Sequence, residues 1–317
     1  MLKHMQPVLE ILDDGIALYR SAFTSFALIV AIWVMPLFIG LGFSFWWAQF
    51  LSEGLFLLLL FAWTLITIPL AVYMVGSVSR AATAVQQQRP VRLREVMAIP
   101  PLRAVGTGCY GFLLLLLMNL ASSMLSMICI CPLYIGLFAV LGGVFSVGEP
   151  LGAAGAVIGV FLMLIFALVL IVLYGLGLVL TGSAYSIVVY GLQPFVQQNR
   201  SFTMMLQESI DLLVYRLGRN LLIFLGTSAV FGALSISVTI AISVLLPLPL
   251  ILALGEQSLL AQGVSATAWM LGIIVVLPLL PIWMALLYER NVHDREGIDL
   301  AQRITVRYTP AERHELV

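Results

Sequence analysis

The sequence predicts an all-α integral membrane protein in which six transmembrane helices form three hairpins, each preceded by an amphipathic helix at the cytoplasmic interface. Three observations carry that prediction. The first is composition: 62% of residues are hydrophobic and 9% charged, with a mean hydropathy of +1.11, against about 25% charged in soluble domains. The second is run length, because several windows exceed the roughly 20 apolar residues that a spanning helix needs. The third is sidedness of charge. All 15 Lys and Arg residues of the 317-residue chain fall in four segments separated by pairs of apolar stretches. Lys3 and Arg20 precede the first pair, and Arg80, Arg89, Arg92, Arg94 and Arg103 follow it. Arg200, Arg216 and Arg219 follow the second pair, while Arg290, Arg295, Arg303, Arg307 and Arg313 follow the third. Basic residues near span ends are retained on the cytoplasmic side, so both termini are expected in the cytoplasm and the protein in the plasma (inner) membrane.

The elements follow in order. Residues 1–24 form a lead-in helix with Val8, Leu12, Ile16, Tyr19 and Phe23 on one face and Glu10, Asp13, Asp14 and Arg20 turned elsewhere. This charged, amphipathic segment does not read as a cleavable signal peptide. The membrane domain covers 25–290. Its first spans, 25–50 and 55–78, are joined by an outer turn at Gln49, Ser52, Glu53 and Gly54. From Val105 to Phe195 the sole charged residue is Glu149, beside Gly148, Pro150 and Gly152, so spans 105–147 and 153–195 flank an outer turn there. The first of these is long for one crossing and contains Pro132. Four short crossings preserve the same sidedness; two long ones are preferred because 148–152 is the one strong break. Spans 220–246 and 267–287 flank a connection marked by Pro247, Pro249, Glu256, Gln257 and Gln262, and 291–317 is a cytoplasmic tail.

An internal repeat appears where the even-numbered spans return. Val85-Gln86-Gln87-Gln88-Arg89 matches Val196-Gln197-Gln198-Asn199-Arg200, and each is followed by an amphipathic segment and a basic residue: Leu93, Glu95 and Arg103, then Leu206, Glu208 and Arg216. Phe202, Leu206, Ile210, Leu213 and Leu217 repeat the stripe of the first lead-in helix. Such stripes are expected to bury in acyl chains at the headgroup boundary. The resulting collar, with Arg89, Arg92, Arg94, Arg200 and Arg216, anchors the bundle or docks anionic headgroups or a cytoplasmic or membrane protein partner.

Within the spans there is no Asp, Glu, Lys, Arg or His, which argues against proton-coupled pumping, charged ion filters and intramembrane metalloprotease chemistry. Asn119, Ser122, Ser123 and Ser126 give the third span one polar face, read as interhelical hydrogen-bond contacts ahead of a substrate path. Ser228, Gly232, Ser235, Thr239 and Ser243 give the fifth a small-residue stripe suited to close helix contact. Cys109, Cys129 and Cys131 are read as reduced packing residues, since no further ligands complete a tetrahedral metal set. The outer Glu53, Glu149 and Glu256 are read as solvated loop carboxylates. His4, His293 and His314 lie in terminal segments, and His293, Asp294, Glu296 and Asp299 read as a solvated, salt-bridged helix start. No catalytic motif, cofactor loop or nucleic-acid platform is apparent.

The run Leu287-Tyr288-Glu289-Arg290-Asn291-Val292-His293-Asp294-Arg295-Glu296-Gly297-Ile298-Asp299-Leu300 resembles an ending found in the membrane domain of glycerophosphoryl diester phosphodiesterase and its stand-alone bacterial relatives. The segment from Ile11 to Arg20 is also similar to that family. Val188-Val189-Tyr190-Gly191 and Gln207-Glu208-Ser209 depart from it, where relatives often carry an acidic residue and an Arg-Ser pair. The resemblance implies a six-helix membrane module without the diesterase's separate soluble barrel. The functional expectation is a non-enzymatic membrane scaffold or accessory subunit, without cofactor, metal or nucleic acid, contacting lipid or a protein partner. The alternative is a transporter or channel for a lipid-like or amphiphilic solute.

Overall fold

A long apolar segment satisfies its own backbone as helix wherever neither water nor a sheet partner is at hand, and the chain follows that rule. The computed structural model describes residues 2–48, 50–148, 152–198, 201–255 and 258–297. In order, the helices are α1 (Leu2–Ser21), α2 (Phe23–Ala48), α3 (Glu53–Gln86), α4 (Leu93–Val96), α5 (Pro101–Gly148) and α6 (Gly152–Gly191). They continue with α7 (Gln193–Gln197), α8 (Phe202–Val214), α9 (Leu217–Leu245), α10 (Leu248–Leu254), α11 (Leu259–Val276) and α12 (Leu279–Glu296). Six stretches are long and apolar enough to cross a membrane: Phe23–Ser44, Glu53–Gln86, Pro101–Met124, Leu164–Gln197, Leu217–Ala253 and Gly263–Glu296. The chain is an all-helical, multi-pass membrane protein.

The segment predicted as 105–195 forms two helices, and α5 runs unbroken through position 132. With 48 residues, α5 is about 72 Å long at 1.5 Å per residue, well beyond a hydrocarbon layer of roughly 30 Å. The last predicted span is instead two helices, because Pro278 lacks the N–H that continuation needs and α11 ends just before it. The helix after that break continues to Glu296, so the first residues of the predicted tail are helical. The lead-in segment expected after α3 shrinks to the single turn α4, between Pro90 and the pair Pro100-Pro101.

Packing is concentrated at the end that carries the basic residues. Helix α2 lies on α3, α5 on α6, and α9 on α6 and α11; α12 contacts α1, α3 and α6. Phe26, Ile29 and Val30 of α2, Val78, Ala81 and Ala82 of α3, Ile223 of α9 and Ile282 to Leu287 of α12 form the core. Trp283 is fully buried there and its indole donates to the Leu12 carbonyl at 3.3 Å. Toward the other end the same helices expose Leu57, Phe61, Leu117, Leu168, Ile171 and Ile240, as helices with a lipid-facing surface do.

The two longer lead-in helices use their stripes differently. On α1, Val8, Leu12 and Tyr19 are buried against protein rather than free to meet acyl chains, with Ile16 half-buried, while exposed Phe23 opens α2. On α8 the predicted stripe is exposed at Phe202 and Ile210 and half-buried at Leu206 and Leu213, its last member Leu217 opening α9, while Met205, Ser209 and Leu212 pack inward. The turn from α8 to α9 places Arg216 at φ 48°. Buried Asn220 satisfies that turn by donating to the Tyr215 carbonyl at 2.7 Å.

Candidate functional site

The segment Tyr288 to Arg295 of α12 ties together elements distant in sequence. Tyr288's hydroxyl accepts from Gln198 Nε2 at 2.6 Å and donates to Glu208 at 3.1 Å. Gln198 Nε2 also donates to Glu208 at 2.6 Å. Fully buried Asn291 donates to the Tyr190 hydroxyl at 2.7 Å and to Asn220 at 3.1 Å. Arg290 pairs with Glu10 at 2.7 Å, and Arg295 with Asp211 at 3.3 Å. Asp294 pairs with Arg216 at 2.9 Å and Arg219 at 3.5 Å. The predicted helix start at 293–296 is therefore a helix end, bridged to the beginning of α9; Asp299 lies outside the described residues.

Three segments converge beside this hub on a cleft of about 540 Å³: Arg80, Thr83 and Gln86 at the end of α3, Gln197 and Gln198 after α6, and Tyr288, Glu289 and His293 of α12. Arg80 donates through Nε to the Val196 carbonyl at 2.7 Å and through Nη1 to the Ala98 carbonyl at 3.0 Å. Arg103 donates to the Gln198 carbonyl and to Met205 Sδ. Both arginines thus satisfy carbonyls that the ending of α7 leaves without helical partners. Glu289 lines the cleft beside Thr83, Gln86 and His293. A second cleft of about 530 Å³ adjoins through Gln86 and His293 and contains Glu10, Asp14, Arg219, Arg290 and Asp294. The Arg290 guanidinium beside Glu10 holds that carboxyl below the usual range, first through its hydrogen bond and then through its charge. Burial pushes the Tyr19 phenol up to about 12.

One to two turns deeper on the same helices lies an apolar cavity of about 850 Å³, between α3, α5, α6, α9 and the α11–α12 junction. Thr67 and Ala71 of α3, Gly111 of α5 and Tyr185 of α6 line it. Three of its lining hydroxyls are spent on backbone carbonyls: Thr64 on Leu60, Thr67 on Trp63 and Ser228 on Val179. What they leave is a hydrocarbon surface that carries the Tyr185 phenol. A void of about 270 Å³ shares Thr67, Ala71, Met74 and Leu277 with it and extends to Trp33 and Phe38 of α2. Gly108 and Gly111 let α5 approach closely, since a Cβ would meet Ile68 at 2.9 Å or Leu192 at 3.2 Å respectively. Between the stretches of α3, α6–α7 and α12 that line the cavity and those that line the polar cleft lie Val78, Ser79, Gln193, Met284 and Ala285, each at most 2% exposed.

The residues singled out in the sequence are spread over several places. Asn119 and Ser122 are half-buried and Ser123 is exposed on α5, away from the cavity lining; the side chain of Ser126 is outside the described residues. Ser235 and Thr239 are half-buried on α9, and Thr239 backs onto Gly272 of α11, where an added Cβ would stand 2.8 Å from the Thr239 Cα. Arg89, Arg92 and Arg94 are exposed, with Arg92 paired to Glu95 at 3.0 Å. Arg216 is held by Asp294; Arg200 lies outside the described residues. Cys109 and Cys131 are free and exposed, not packed inside the bundle as expected, and the side chain of Cys129 is outside the described set. Glu53 is exposed, and Glu149 and Glu256 are outside that set.

Sequence reasoning missed Arg80 and the convergence of Gln198, Tyr288 and Glu289. The signals were present as the repeated Val-Gln-Gln run and the Tyr-Glu-Arg-Asn run, but their pairing depends on the fold. No family model, no curated protein and no solved structure matches this chain.

Proposed function

We propose that this is a non-enzymatic membrane protein that binds a lipid-like amphiphile, seating its hydrocarbon in the cavity between α3, α5, α6 and α9. The cavity carries the reading. Its volume lies in the range of small-molecule sites, and its walls are apolar, with Thr64, Thr67 and Ser228 committed to backbone carbonyls and the Tyr185 phenol left as a single polar group. An apolar space of this kind favours hydrocarbon over water, and acyl chains surround a membrane protein at that depth.

In this reading the six crossings form three hairpins, α2–α3, α5–α6 and α9–α11/α12, led in by α1, α4 and α8. The pairwise packing of these helices supports it, as does the collection of Arg80, Arg216, Arg219 and Arg290 at one end. That end is cytoplasmic by the positive-inside rule, in the plasma (inner) membrane, with both termini on that side. The resemblance of residues 287–300 to the phosphodiesterase membrane domain belongs to the same proposal: a six-helix membrane module. A scaffold or accessory role remains the second reading, favoured by the exposed Arg89, Arg92 and Arg94, which suit anionic headgroups or a protein partner.

The test is native mass spectrometry of the full chain and of Ala71→Trp, which fills space in both the cavity and the adjoining void. Retained lipid in the wild type and its loss in the folded variant support the reading. The same lipid complement in both contradicts it.

A further inference from the structure

The two polar clefts treat charge differently. In the second, charges neutralise each other by contact: Arg290 pairs with Glu10 and Arg219 with Asp294. In the first, they do not. Among the described residues Arg80 is bonded to two neutral carbonyls through Nε and Nη1, with no carboxylate within ion-pair distance, and its Nη2 makes no hydrogen bond. Glu289 lines the same space with no ion pair among the described residues, beside Thr83 and Gln86 and with His293 one turn along the helix. One concave space of about 540 Å³ therefore presents a guanidinium and a carboxylate, and the side chains of Thr83, Gln86, Gln197 and Gln198 line it with them.

We propose that this cleft binds a phosphate–ammonium zwitterion, supplied by the headgroup of a phosphatidylethanolamine-type lipid. The phosphate would lie toward Arg80, whose side also feels the positive charge of Arg103, and the ammonium toward Glu289. A purely anionic headgroup meets Glu289 and a purely cationic ligand meets Arg80, so a ligand bearing both charges is the one that neither group repels. The carboxamides add neutral donors and acceptors that fit either half. The cleft stands at the ends of spanning helices, the level at which headgroups lie. This inference goes beyond the hydrocarbon cavity and does not depend on it, because it concerns headgroup choice at a site that shares no lining residue with that cavity.

The full chain in nanodiscs, with Glu289→Gln as the principal variant, provides the test. Relative binding of phosphatidylethanolamine and phosphatidylglycerol is read by native mass spectrometry. The wild type should favour phosphatidylethanolamine, and Glu289→Gln should shift the ratio toward phosphatidylglycerol by about tenfold, the equivalent of one lost charge-assisted contact. Gln86→Ala, which leaves both Arg80 bonds in place, should weaken both lipids without that shift. An unchanged ratio in folded Glu289→Gln overturns the proposal. Free O-phosphoethanolamine displacing the lipid at comparable affinity overturns the membrane source of the headgroup. Failure of Ala71→Trp to lose lipid bears on the cavity alone and leaves this ratio unaffected.

Discussion

Gln198 and Tyr288, 90 residues apart, meet at 2.6 Å, and the contact joins the end of α7 to the last turns of α12. Tyr288 in turn donates a hydrogen bond to Glu208 of α8, so a single phenol links three segments. A low-dielectric surround makes such a network rigid when complete and costly when broken. Tyr288→Phe keeps the ring and removes both bonds. It should lower stability by about 1–3 kcal/mol, measured as a fall in the unfolding midpoint in detergent, while Tyr215→Phe, on a half-buried ring, should leave it nearly unchanged.

Gly15 is where α1 touches the core. Any Cβ there overlaps the indole of buried Trp283, whose position is set by its bond to Leu12 in the same helix. Gly15→Ala would ordinarily favour a helix by about 0.5–1 kcal/mol. Here overpacking by about 1–3 kcal/mol should win, so the variant melts lower than the wild type. A higher midpoint would mean that α1 is not seated against Trp283.

The small-residue side of α9 makes a different prediction. Because the obstacle at Gly272 is the backbone of Thr239 and not a movable side-chain tip, Gly272→Ala must push α9 and α11 apart. A loss of about 1–3 kcal/mol is expected. Ser235→Ala should cost about 0.6 kcal/mol or less, the usual scale for a hydroxyl between membrane helices.

Two groups outside the spans set opposite pH limbs. Glu10 is lowered by Arg290, so its contribution is present above the unfolded carboxylate value and is lost as pH falls through the folded one. Glu10→Gln should flatten the acid limb of a stability–pH curve. Tyr19 is raised from 10.0 to about 12 by burial, with its hydroxyl donating to the Val275 carbonyl at 2.5 Å. Its contribution is complete below pH 10 and disappears as pH rises through about 12. Tyr19→Phe should remove that alkaline dependence and leave the acid limb intact.

Charge alternation and apolar run length were enough to find the six crossings, because both act over whole segments and neither requires a partner. Local breaks were harder. Pro278 splits the last span and Pro100-Pro101 reduces α4 to one turn, yet Pro69 sits inside α3 without ending it, so proline alone does not announce which outcome packing permits. The stripe on α1 was legible as amphipathicity, but periodicity names the apolar face and not what covers it. Trp283, 271 residues away from Leu12, supplied the cover. The polar cleft was the least legible feature. Its groups come from residues near 80, 197 and 289, and each looked locally like an ordinary helix end.

The most direct test of the central claim is an experimental structure of the full chain in lipid nanodiscs. The account predicts elongated hydrocarbon density against Ala71, Gly111 and Tyr185, between α3, α5 and α6. Helices closed over that space, or density for ordered water in it, would contradict a lipid-binding cavity.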